Sequence, residues 1–213
     1  MIRKTFDTRL KVDIYLQEQK FRMEKGYLSK SERNELIELL KKPDNLVVTK
    51  QPDIYKGRKI VTDISKLRQP CELVGKDEDV STIIKELKEA HEHYGGMGIS
   101  ANQIGYNRKI SYIKFPVRMD EKTKKVEWSE FMLINPIVIE KDKPVKFVGE
   151  GCLSFPGVFV DTLRYCYCTV QYEDEQRKGQ VNSVQDMESF VIMHEVQHLN
   201  GKTIFDNKWR ASN

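Results

Sequence analysis

Late in the chain the residues read MHEVQHLNG, and the HExxH string made by His194, Glu195 and His198 limits what can be built around it. On an α-helix, residues four apart share a face, so both imidazoles can reach one metal ion, while Glu195 falls about 100° round the helix from His194. A carboxylate in that place can take a proton from a water on the ion and later return it to a leaving group. Core and surface histidines of an ordinary amphipathic helix could produce the same string, so its surroundings matter. Ser183 stands where an N-cap is expected, and Val184, Met187, Phe190, Val191 and His194 recur at three- and four-residue steps. Gly201 occupies the position of a left-handed stop. The sequence thus predicts a helix that starts just after Ser183 and ends before Gly201.

A zinc-type site needs at least three protein ligands. After His198 the chain offers neither His nor Glu, and Asp206 is its only carboxylate there. The third ligand is therefore expected from upstream, where Cys152 in GEGCLSFPGV is the natural candidate. One thiolate and two imidazoles leave a fourth position open for water, the catalytic rather than the structural arrangement.

Two further strings precede the helix: Gly96-Met97-Gly98-Ile99-Ser100-Ala101-Asn102-Gln103 and Glu150-Gly151-Cys152-Leu153-Ser154. With these and HExxH in this order, the chain resembles the peptide deformylases, whose signatures are GxGLAAxQ, EGCLS and HExxH. The resemblance runs from about residue 64 to about residue 205. It implies that Cys152, His194 and His198 ligate the metal and that Glu195 is the general acid and base. It also implies that the Gln103 side-chain amide and the Leu153 backbone N–H donate to the developing oxyanion, a role whose loss typically costs about 10²–10³ in rate. Gly96 permits a turn that a Cβ would obstruct. Met97, Gly98, Val148, Met187, Phe190 and Val191 are implied to line a pocket for a methionine side chain, although periodicity alone reads the last three as core. Glu150 is implied to pair with Arg164 and to support the Cys152 loop. Two departures are mild: Ile99 replaces the common Leu, and Ser100 the common first Ala, adding one hydroxyl beside the site.

The activity this implies is hydrolysis of the N-formyl group from N-formylmethionyl nascent peptides, releasing formate. Two other functions stay open, a different metal-dependent amidase or peptidase on the same scaffold and a catalytically silent binding module. A Cys-His-His set suits Zn(II), Fe(II), Ni(II) or Co(II), and the resemblance favours Fe(II). A thiolate ligand and four cysteines without a disulfide framework imply a reducing compartment. Cys166 and Cys168 share one face of a strand-like run and read as filling, Cys71 is isolated, and His91 and His93 end a helix whose dipole favours them.

The fold expected is α+β, with mixed or antiparallel sheets wrapped around the C-terminal HExxH helix and an N-terminal helical extension. Residues 81–93 read as a helix with Ile83, Ile84, Leu87 and Ala90 on one face. Strand-like runs follow at KISYIKF, FMLINPIVIE, VKFVGE, VFVDT and YCYCTVQY, separated by turns such as DEKTKK and EDEQRKG. At 213 residues the chain suffices for one substantial core, and we expect a catalytic domain over 61–213. Residues 1–60 form the extension, where Ser29 and Glu32 suggest a capping box, Leu36, Ile37, Leu39 and Leu40 a small apolar face, and Pro43 a limit. Residues 1–70 hold 17 Lys and Arg against 10 Asp and Glu, a net +7, which leaves −3 for the rest. Solvated helices look like this, but such an asymmetry also suits a transient ribosome contact; no DNA partner is expected. No apolar run reaches the roughly 18–20 residues of a membrane span, and acids at Asp7, Asp13 and Glu18 argue against a transit peptide. Cytoplasm is the expected location.

Overall fold

Five strands follow one another along the second part of the chain and pair in the order in which they occur. The computed structural model describes residues 4–6, 29–41, 46–48, 57–119 and 126–210, and its contacts divide the chain into two compact units, Met1–Lys56 and Gly57–Asn213.

In the first unit, strands β1 (Lys4–Phe6) and β2 (Leu46–Val48) pair in parallel. Parallel strands need a crossover between them, and helix α1 (Lys30–Lys41) lies on that connection. Its start is set by the expected capping box: Ser29 N–H donates to Glu32 Oε2 at 2.7 Å and Glu32 N–H to Ser29 Oγ at 3.2 Å. A mostly helical extension was the sequence expectation; the strand pair was not foreseen, because three-residue runs such as Leu46–Val48 are too short to show a period. Pro43 and the side chains of Leu39 and Leu40 lie outside the described residues, as do Asp7, Asp13 and Glu18.

The second unit opens with the short helix α2 (Ile64–Leu67), capped by Asp63, whose carboxylate accepts from the Ser65 N–H at 2.9 Å. Helix α3 (Ser81–Tyr94) buries Ile83, Ile84, Leu87 and Ala90, the face that the sequence marks. These side chains meet Ile99, Ile104, Ile110, Tyr112 and Ile134 in the main core, so α3 is held against the strands that carry the glycine string. The strands are β3 (Gly98–Ser100), β4 (Ile110–Met119), β5 (Val126–Glu150), β6 (Val160–Glu173) and β7 (Gly179–Gln185), in one antiparallel sheet ordered β3-β4-β5-β6-β7. The expected runs FMLINPIVIE and VKFVGE are one strand of 25 residues, β5, and VFVDT joins YCYCTVQY in β6. A strand that long bends only where its register breaks, and β5 shifts against β6 at Ile134/Ile137, Val138/Glu140 and Phe147/Glu150. The DEKTKK turn lies outside the described residues.

Helix α4 (Met187–Leu199) carries the HExxH string and touches all five strands of the sheet. It starts later than the sequence suggests. Ser183 and Val184 belong to β7, where Val184 faces Cys168 in the ladder, and the turn into the helix is made by Asp186 at φ 51°. The antiparallel pairing with β6 outweighs the helical period at these positions. Behind the helix, Gly201 has φ +69°, and a Cβ there would stand 2.5 Å from the Arg68 carbonyl oxygen and 3.0 Å from Pro70 N. Cys71 N–H donates to Leu199 O at 2.9 Å across the same contact. Gly201→Ala should therefore cost at least about 2 kcal/mol of stability, because both the positive φ and the close backbone forbid a side chain. Chemical denaturation measures it, and a shift below about 0.5 kcal/mol would contradict the account.

Candidate metal centre

The chain leaves β5 at Glu150 and turns at once through Gly151 to Ser154, with the Phe155 N–H closing onto Cys152 O at 3.0 Å. This turn sets Cys152 opposite the last two turns of α4. There the four-residue step stacks His194 and His198 with ring centroids 4.9 Å apart. Cys152 Sγ stands 3.1 Å from His198 Nε2, and that nitrogen stands 3.2 Å from His194 Nε2. The three ligand atoms all lie within 4.8 Å of one another. Donor atoms around a tetrahedral zinc-like ion, at bond lengths of about 2.0–2.3 Å, are themselves about 3.3–3.6 Å apart. The residues therefore fit an ion of this size: a sulfur and two ring nitrogens converge at nearly that spacing, and a shared cation relieves the repulsion between their lone pairs.

What holds His194 in this pose is Glu150, buried at the end of β5. Its carboxylate accepts from His194 Nδ1, from Thr162 Oγ1 and from the Arg164 guanidinium, whose Nε lies at 2.7 Å. Arg164 also donates to Gln197 Oε1 at 2.9 Å, on the same helix. With Nδ1 committed to Glu150, Nε2 of His194 faces the other two donor atoms and offers them a lone pair once the ring is neutral. Burial pushes the Glu150 carboxyl up, but the Arg164 charge and the His194 bond outweigh it and hold it well below the usual carboxylate range. Burial also opposes charge on His194, yet the Cys152 sulfur and the Glu150 carboxylate together raise its pKa to about 10. His198 is pushed well down, by burial first and by the His194 charge second. Its Nδ1 finds no partner among the described residues.

Glu195 is 3% exposed and faces the glycine string. Burial raises its carboxyl, opposed by the His194 charge and by a bond from Ser100. Gly98 is needed here: a Cβ on it would lie 2.8 Å from Glu195 Oε1. Directly after β3, residues Ala101–Ile104 form a 3-10 turn in which Ser100 and Gln103 make a capping box. Gln103 Oε1 accepts from the Ser100 N–H at 2.9 Å, which turns Nε2 toward Ser154 Oγ at 3.2 Å and Cys152 Sγ at 3.5 Å. Asn102 Nδ2 donates to His198 O at 2.7 Å. Leu153 is partly buried against the main core, with its side chain 3.6 Å from where a Cβ of Gly96 (φ +97°) would stand.

The structure thus gathers Cys152, His194, His198, Glu195, Gln103, Leu153, Glu150 and Arg164 within one set of contacts. The residues named for a pocket are more scattered in character. Phe190 and Val191 are buried, Phe190 with its ring 5.2 Å from that of Phe147, whereas Val148 is 36% exposed. Met97 and Met187 are half-buried. Ser111, Thr162, Ser154 and Gln197 were not singled out from the sequence. Gln197 and Ser154 sit inside the strings and could have been; Ser111 and Thr162 become neighbours of the site only through strand register.

A cysteine on a turn and two histidines on a helix, beside a buried carboxylate and backed by an antiparallel sheet, have the donor set of a metallohydrolase. The family profile of polypeptide deformylase matches residues 58–212. Peptide deformylases of Picosynechococcus and Synechocystis are 32% and 30% identical over 141 residues, covering 66% of this chain and 72% of each relative. The crystal structure of the Thermotoga maritima peptide deformylase superposes with a TM-score of 0.61 at 29% identity, covering 73% of this chain and 100% of that one. The peptide deformylase of a Vibrio parahaemolyticus bacteriophage, crystallised with actinonin, gives 0.60 at 29% identity, with 68% and 99% covered. The chain belongs to the peptide deformylase family, metal-dependent enzymes that remove the formyl group from nascent polypeptides.

Because His194 carries a proton up to a pKa of about 10 in the metal-free centre, an ion must displace that proton to bind. Metal affinity should therefore rise by about tenfold per pH unit between about pH 6 and about pH 9. Competition with a chelator of known affinity reads this directly, and a flat profile would show that His194 is already neutral.

Proposed function

We propose that Cys152, His194 and His198 together hold one divalent ion in this deformylase, Fe(II) first and Zn(II), Ni(II) or Co(II) as replacements. The carrying observation is the convergence of three donor atoms with the Nδ1 of His194 tied to Glu150. When bound, the ion polarises the formyl oxygen and acidifies water. The remaining work falls to the chain. Glu195 takes a proton from the attacking water and delivers it to the departing amine. The Gln103 amide and the Leu153 N–H, which has no acceptor among the described residues, receive the oxygen of the formyl group as it gains charge. Glu150 and Arg164 fix the loop and the helix relative to each other, and Gly96 allows the turn between α3 and β3.

The methionine side chain of an N-formylmethionyl peptide lies, in this reading, against Met97, Gly98, Val148, Met187, Phe190 and Val191. What supports it is that Val148 presents apolar surface to solvent while Phe190 braces the strand beneath it. Residues 61–213 are the catalytic domain, and residues 1–60 are a basic extension that touches the ribosome transiently. The enzyme works in the cytoplasm, where Cys152 stays reduced. Among the described residues no helix is long and apolar enough to cross a membrane.

Formate release from an N-formylmethionyl tripeptide by anaerobic, Fe(II)-loaded protein tests the reaction. Turnover should be rapid, absent with the acetylated peptide, and lowered by about 10²–10⁴ in Glu195→Ala; equal cleavage of both peptides would point to a broader amidase. Co-sedimentation with ribosomes should weaken as salt rises and fall on deletion of residues 1–56, whose cations supply the attraction. Binding unchanged by the deletion would remove the extension from the account.

A further inference from the structure

Ser100 is fully buried where β3 crosses α4. Its Oγ lies 2.6 Å from Glu195 Oε2, 2.7 Å from Ser111 Oγ and 3.1 Å from the Glu195 backbone oxygen. The proton count fixes the direction of these bonds. A carboxylate can only accept, so the shortest contact is Ser100 donating its single proton to Glu195. Ser111 must then donate to Ser100, and the run Ser111 to Ser100 to Glu195 uses both hydroxyl protons. The backbone oxygen of Glu195 keeps its place as an acceptor within the helix. On its other side the Glu195 side chain lies against Gly98. A Cβ at Gly98 would come within 2.8 Å of Oε1, 2.9 Å of Cγ and 3.0 Å of Cδ, so the carboxylate takes up the space that the missing side chain leaves.

We propose that Ser100 is a positioning residue for proton transfer by Glu195. By donating to Oε2 it holds the carboxylate in one rotamer and leaves Oε1 as the oxygen that handles the proton. The inference rests on the role given to Glu195 above. In the transfer, an O–H bond of the attacking water breaks as Oε1–H forms, and Oε1–H then breaks as the N–H of the departing amine forms. The Ser100 proton stays on Ser100 throughout. Ser111, one strand further in, orients the Ser100 hydroxyl. Ser100 stands where the motif of the family that the sequence resembles commonly has its first Ala, so the hydroxyl is an addition to that pattern.

The test is a double-mutant cycle on the full, metal-loaded chain, with metal content and thermal melting recorded for each variant. Ser100→Ala should lower kcat by about tenfold with KM within about twofold, and Ser111→Ala should lower kcat by about threefold. In a Glu195→Ala background, Ser100→Ala should change the residual rate by less than about twofold, since a residue that acts through Glu195 has nothing left to position. Crystal structures of the wild type and Ser100→Ala should show the Glu195 carboxylate displaced in the variant. An unchanged kcat in Ser100→Ala, an equal loss in the Glu195→Ala background, or an unmoved carboxylate would each overturn the proposal. If the wild type released no formate, the catalytic reading would fall, while the position of the carboxylate in Ser100→Ala would still decide this one.

Discussion

The Glu150 carboxylate is the point on which the arrangement turns. A buried charge is costly unless it is paired and fully hydrogen-bonded, and this one receives Arg164 through two nitrogens, Thr162 and His194. Two of the donors stand at alternate positions on one face of β6 and the third on α4. Glu150 itself is the last residue of β5, two positions before Cys152. A single side chain therefore ties the strand that delivers the thiolate to the helix that delivers the imidazoles. Arg164 completes the tie by reaching Gln197 on that helix. Small rotations of α4 would separate the ring nitrogens from the sulfur, and it is this set of bonds that resists them. Ser189, a turn earlier, adds a bond from its hydroxyl to Tyr165 O at 2.8 Å, so the helix is pinned to β6 at both ends.

Much of the centre was legible because its residues lie in short strings whose spacing is set by local geometry. The four-residue step of His194 and His198 needs only a helix, and the order of Gly98, Ser100 and Gln103 needs only a strand followed by a tight turn. The α3 face was equally plain, since Ile83, Ile84, Leu87 and Ala90 obey the helical period and all four are buried. The start of α4 was less so. Val184 satisfies the helical period and the strand alternation at once, and only its pairing with Cys168 decides between them. A positive φ at Asp186 then makes the sharp entry that a simple N-cap would not.

The rest could not be read because it depends on register across the sheet. Ser111 pairs with Ser100 on β3 and with Leu133 on β5; nothing in its own neighbourhood marks it as standing one hydroxyl away from the buried Glu195 carboxylate. Thr162 meets Glu150 only because β5 slips against β6 between Phe147 and Glu150. The second glycine of the string, Gly98, was named only for the pocket, but its place is set by volume: the Glu195 side chain fills the space where a Cβ would go. Pairing of Glu150 with Arg164 was expected, whereas its bond to His194 was not, and that bond joins the ion pair to the Cys-His-His cluster as well as to the loop.

Cys152 and His198 meet across 46 residues of chain. Between them run β6, β7 and nearly all of α4, so the final hairpin and the helix form one large loop whose ends touch only when the strands are in register. Closing such a loop costs the unfolded chain entropy that grows slowly with length. An ion held by Cys152 and His198 would act as a removable staple across this loop, and its binding energy would become folding energy.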